Sequence, residues 1–176
     1  MKIYILIFLF ISLLFFGCLA VEEKKCLAMS EGETKDECYT FYAVGEYLKT
    51  NDTSIEKICK NEMSNNESSI LCYQALGVAA AHQDHNFHAV SFCEEIYFIE
   101  SKDSYNNLID CLTEVAVIIG DETICEHASN RFDPDKSLWS KLLFTQGVST
   151  NMKLDICKKR ALMTKARKEN LPIEFF

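Results

Sequence analysis

The chain has 176 residues, of which 48% are hydrophobic and 25% charged, with nine cysteines and only two prolines. That length suggests one domain. A formal net charge of -8 argues against a nucleic-acid partner, which needs a basic surface.

Taken in chain order, the first feature is an apolar run from Ile3 to Phe16, broken only by Tyr4 and Ser12 and preceded by one charge, Lys2. This is the n-region and h-region pattern of an export signal. The run ends Leu14-Phe15-Phe16-Gly17-Cys18, and charge appears at once in Glu22-Glu23-Lys24-Lys25. Here the chain resembles the lipoproteins of bacteria and archaea, in which a small residue precedes a cysteine that becomes the lipidated N-terminus. The resemblance implies cleavage after Gly17, lipid attachment at Cys18 and a protein held on the extracytoplasmic face of the cell membrane. Two other readings of the same segment stay open. Ile3 to Ala20 approaches the lower limit of about 17 residues for a spanning helix, which would make it an uncleaved signal anchor. An ordinary cleaved signal is the third. All three put the body outside the cytoplasm.

With Cys18 set aside, eight cysteines remain: Cys26, Cys38, Cys59, Cys72, Cys93, Cys111, Cys125 and Cys157. An even number in an exported chain reads as a disulfide framework. No Cys-x-x-Cys occurs, so neither a zinc ribbon nor a thioredoxin-type pair is indicated.

Apolar residues then recur at spacings of three and four, as in Tyr39, Tyr42, Ala43 and Tyr47; Leu71, Ala75, Val78 and Ala79; and Leu108, Leu112, Val115 and Ile119. The periodicity predicts an all-α body. Thr34 to Glu37 and Thr53 to Glu56 have the form of capping boxes. Gly120-Asp121 reads as a helix end followed directly by the next N-cap. Polar stretches at Lys60 to Ser69, Glu100 to Asn107 and Asn130 to Ser137 read as connections, with Asp133-Pro134-Asp135 as a turn.

The body also repeats itself. Cys38-Tyr39 leads through a polar turn at Asn51-Asp52 to Cys59, and Cys72-Tyr73 through a turn at Asp84 to Asn86 to Cys93. Cys111-Leu112 leads through Gly120-Asp121 to Cys125, and a fourth unit starts near Leu138-Trp139 and ends at Cys157. Each unit is expected to be a helical hairpin. That register pairs Cys38 with Cys59, Cys72 with Cys93 and Cys111 with Cys125, leaving Cys26 and Cys157 for each other. The Cys-Tyr…Ala…Cys pattern, over about residues 36–125, resembles cysteine-rich helical repeats of uncharacterised archaeal surface proteins. The resemblance implies a solenoid-like array and brings no activity with it. The expected organisation is a signal peptide at 1–17, a lipid-anchored segment at 18–35, the hairpin array at 36–157 and a basic C-terminal helix or tail at 158–176. That tail carries six basic and two acidic residues and could rest on anionic lipid headgroups or simply cap a helix end.

Candidate sites are few. His82, His85 and His88 cluster around the second turn and could hold a surface metal ion. Asn51-Asp52-Thr53 and Asn66-Glu67-Ser68 are glycosylation sequons. Glu94-Glu95 are sequence neighbours on a helix and face different ways. There is no Gly-x-Ser-x-Gly and no glycine-rich phosphate loop. Trp139 and the Tyr and Phe residues at helical spacing read as core. The expectation is therefore a non-catalytic surface binding or scaffolding module without a cofactor, whose acidic face suits a basic protein partner. Metal capture by the histidine turn is the alternative.

Overall fold

The computed structural model describes residues 22–132 and 146–169. Cys18, the apolar leader and Trp139 lie outside the described residues. Among the described residues there is no strand, and no helix is long and apolar enough to cross a membrane. Eight α-helices follow in order: α1 Glu23–Leu27, α2 Glu33–Thr50, α3 Glu56–Asn61, α4 Asn66–His82, α5 Asn86–Glu95, α6 Ser104–Ile119, α7 Thr123–Phe132 and α8 Gln146–Lys168. Short 3-10 turns precede α3 (Thr53–Ile55) and follow α5 (Ile96–Phe98).

Local chemistry sets the breaks. Helix α2 starts behind Gly32, whose φ of 133° suits only glycine, and ends at Asn51 in the left-handed region. Neither capping box forms as expected. Gly32 stands at the N-cap of α2, and Asp52 caps the 3-10 turn by accepting the Ser54 N–H. Helix α4 begins where Asn65 Oδ1 accepts the Ser68 N–H at 2.9 Å. Helix α6 ends at Gly120, φ 83°, and Asp121 then accepts from the N–H and hydroxyl of Thr123, as the Gly-Asp pair predicts.

The long helices α2, α4, α6 and α8 pack side by side in that order, α1 lies against α2, and each later short helix lies between two long ones. Thus α3 touches α2 and α4, α5 touches α4 and α6, and α7 touches α6 and α8. This is the expected array of antiparallel hairpins stapled by disulfides. One continuous core runs through it, built on Tyr47, Leu76, Phe92, Ile96, Leu108, Leu112 and Val115. A smaller cluster of Cys26, Cys38 and Tyr39 seals the N-terminal end.

All eight body cysteines are bonded, but not in the expected pairs. The bonds are Cys26–Cys38, Cys59–Cys72, Cys93–Cys111 and Cys125–Cys157. Each ties a short helix to the long helix that follows it, so the staples run between hairpins and not within them. Register explains the correction. Counted from the turns at Asn51, Asp84 and Gly120, the first cysteine of each hairpin lies three to five residues farther out than the second. That is an axial offset of about 4.5–7.5 Å at 1.5 Å per residue; combined with the lateral gap between two packed helices it takes the pair beyond the Cα–Cα reach of a disulfide, about 4.4–6.8 Å. Cys26 is the short-helix cysteine of a first, truncated unit, and Cys157 is a long-helix cysteine. Neither is left over.

The boundary expected after Cys157 also falls inside a continuous helix, because nothing between 146 and 168 is a proline and α8 carries on through Lys158. Three of its seven basic residues are engaged by the array itself. Lys153 pairs with Asp110 at 2.9 Å and Lys158 with Glu126 at 2.7 Å. Lys168 Nζ donates to the terminal carbonyls of α6, Ile118 at 2.9 Å and Ile119 at 3.2 Å, where a cation complements the helix dipole.

Candidate functional site

Two features of the surface are built well enough to do chemistry, and both lie in the N-terminal half. The first is a groove of about 500 Å³ between the N-terminal halves of α2 and α4. Glu33, Glu37 and Phe41 stand at successive i, i+4 positions of α2, and Glu67 and Leu71 at the same spacing on α4, so each helix turns one stripe into the groove. All five are exposed, Phe41 at 68% and Leu71 at 57%. The floor is fixed by Asp36, which is buried yet fully engaged. Its carboxylate accepts the Ser64 N–H at 3.0 Å and the Ser64 hydroxyl. Burial raises the Asp36 pKa, but the hydrogen bonds from Ser64 and Ser68 and the charge of Lys35 outweigh it and hold the group below the usual carboxylate range.

Leu71 was expected on the buried stripe of α4 and is on its open face. Tyr73 and Leu76 do the packing instead, together with Cys72. A helix covered on two sides, by α2 and by α6, buries more than one stripe; of the expected Leu71, Ala75, Val78 and Ala79, Ala79 is in the core and Leu71 alone is fully exposed.

The second feature surrounds the turn between α4 and α5. The Tyr47 hydroxyl lies 3.1 Å from His85 Nδ1 and 3.0 Å from His88 Nδ1. Tyr47 is fully buried, with Phe92 edge-on to its ring at 5.2 Å, and burial raises its pKa. His85 and His88 are half-buried, whereas His82 is exposed on the last turn of α4. The structure therefore joins two of the three expected histidines and adds a tyrosine from 38 and 41 residues away. Among the described residues no group of three or more His, Cys, Asp or Glu side chains is placed to hold a metal ion. The fourth histidine, His127 on α7, stands 2.5 Å from Glu94 on α5.

The sequons differ from one another. Asn51 is an exposed helix C-cap. Asn66 is exposed too, and its amide nitrogen donates to the Glu100 carbonyl at 2.8 Å, which ties the sequon to the loop before α6.

No protein-family model, no curated protein and no solved structure matches the chain.

Sequence reasoning missed the groove, although its signal was present. Glu33 and Glu67, and likewise Glu37 and Leu71, are 34 residues apart, equivalent positions of adjacent units. Tyr47 carried no local signal linking it to the histidines.

Proposed function

We propose that the chain is an exported, membrane-anchored binding module without catalytic activity, whose α2/α4 groove receives a basic, partly apolar segment of a protein partner. The lipoprotein-like leader ending at Cys18 supports the address. The observation that carries the binding assignment is the groove itself: the carboxylates of Glu33, Glu37 and Glu67 flank the exposed side chains of Phe41 and Leu71. Apolar side chains bordered by one sign of charge suit an amphipathic segment of the opposite sign, with charge steering the encounter and apolar contact holding it. A helical array supplies a rigid frame for such a face.

The test is fluorescence anisotropy of a labelled Lys/Leu amphipathic peptide against the full chain, with a Glu/Leu peptide as control. Preferential binding of the Lys/Leu peptide is expected, weakening as salt rises, and weakened again in the combined variant E33Q/E37Q/E67Q and in F41A. Equal binding of both peptides, or an unchanged affinity in the triple variant, rejects the groove. The address is tested separately by the intact mass of membrane-extracted protein. A species beginning at Cys18 with added lipid supports the lipoprotein reading, and one that retains Met1 supports the signal anchor.

A further inference from the structure

We propose that Tyr47, His85 and His88 form a binding site for one transition-metal ion, copper(II) foremost, with the phenol oxygen and both Nδ1 atoms as ligands. The assignment is independent of the groove and of how the chain is anchored.

Three observations lead to it. First, two of the three donor–donor distances already have the length that a shared ion would need. Ligands bonded at about 2.0–2.1 Å lie about 3.0–3.4 Å apart at the angles of four- and six-coordinate sites. The phenol oxygen is 3.1 Å and 3.0 Å from the two nitrogens. Second, the cluster is held from outside. His85 is the N-cap residue of α5 and His88 lies three residues on, which sets both on one side of the helix start. The Tyr47 ring is clamped by Phe92. Third, hydrogen bonding alone uses the three donors unevenly. A phenol has one proton, so it can donate to only one Nδ1 and must accept from the other, which forces different protonation on two similar histidines. An ion uses all three lone pairs alike.

Imidazole is a ligand suited to copper, and copper(II) stands highest in the divalent affinity series. The exchange balances simply. A copper–oxygen bond forms, the phenol O–H bond breaks, the proton goes to water, and no electron is transferred. Any proton on an Nδ1 moves to Nε2 of the same ring. The half-buried imidazole edges give the ion its approach, and the site joins the end of α2 to the start of α5. In the next unit the position equivalent to Tyr47 is Ala81, 34 residues on, so this junction differs from the one after it.

The experiment is titration of the untagged, full oxidised chain carrying C18S with copper(II) chloride, following visible absorption and thermal midpoint. One equivalent is expected to raise a phenolate-to-copper charge-transfer band and the midpoint, since a ligand of the native state stabilises it. His82→Ala should leave both unchanged. Tyr47→Phe should abolish the band, and His88→Ala should weaken binding at least about tenfold, in line with losses at metal shells. No band in the parent, a band surviving in Tyr47→Phe, or equal losses in His82→Ala and His88→Ala would overturn the site. Should Tyr47→Phe lose its helical circular dichroism, the contrast between His88→Ala and His82→Ala decides alone.

Discussion

Gly77 of α4 lies directly against the Cys93–Cys111 disulfide. A methyl group on its Cα would sit 3.1 Å from Cys93 Sγ, 3.3 Å from Cys111 Sγ and 3.3 Å from the Ala89 carbonyl oxygen. The bond that ties α5 to α6 is thus seated on a position where even a methyl group would be crowded.

Gly77→Ala sets two effects against each other. Helix propensity favours alanine by up to about 1 kcal/mol, while overpacking in a closed core costs about 1–3 kcal/mol. None of the three crowding atoms is the free end of a flexible side chain, so overpacking should win. Chemical denaturation should show a lower midpoint for Gly77→Ala, and a higher one would mean that the disulfide yields.

Crosslink topology gives a prediction that separates the two pairing schemes. In Cys38→Ser, thiol labelling of the oxidised chain should find Cys26 newly free. Labelling at Cys59 would instead restore pairing within the hairpin. Replacing Cys93 and Cys111 together by alanine opens a link of sequence separation 18 and should cost about 3 kcal/mol by the chain-entropy model.

Asp36 holds the α3–α4 connection through Ser64. Because its folded pKa is lowered, its contribution is present above the unfolded value and fades as pH falls through the folded one. Asp36→Asn should cost about 1–3 kcal/mol near pH 7. Parent and variant should converge in urea melts below about pH 4. A gap that stays constant with pH would show that the charge is not what matters.

Glu56 carries the opposite sign. Burial first, and the negative charge of Glu95 second, raise its pKa against the pull of Lys60 and Lys57. Its ionised form therefore burdens the fold at neutral pH, and the burden vanishes where the folded and unfolded chains are both protonated. Glu56→Gln should raise the melting midpoint at pH 7 and leave it nearly unchanged below about pH 4. A lower midpoint at pH 7 would contradict this.

Much of the architecture was legible residue by residue. Helical periodicity, the Gly120-Asp121 break and the even set of body cysteines pointed to a stapled all-α array, because each is a local consequence of backbone geometry and side-chain chemistry. A further regularity lay in plain view: Cys26, Cys59, Cys93 and Cys125 recur every 32 to 34 residues. It marks the short helices and places Cys26 inside the array. Starting the repeat at Cys38 hid it.

What the chain order could settle by itself was the kind of element and the kind of crosslink, since a 3.6-residue period and an oxidised pair need only neighbours a few turns away. Which cysteine meets which, which face of α4 stays open, and that Tyr47 reaches His85 and His88 were decided by packing. The inner long helices α4 and α6 each have a long neighbour on both sides, and which neighbour a given face meets depends on how the helices pack, which periodicity along one chain does not state.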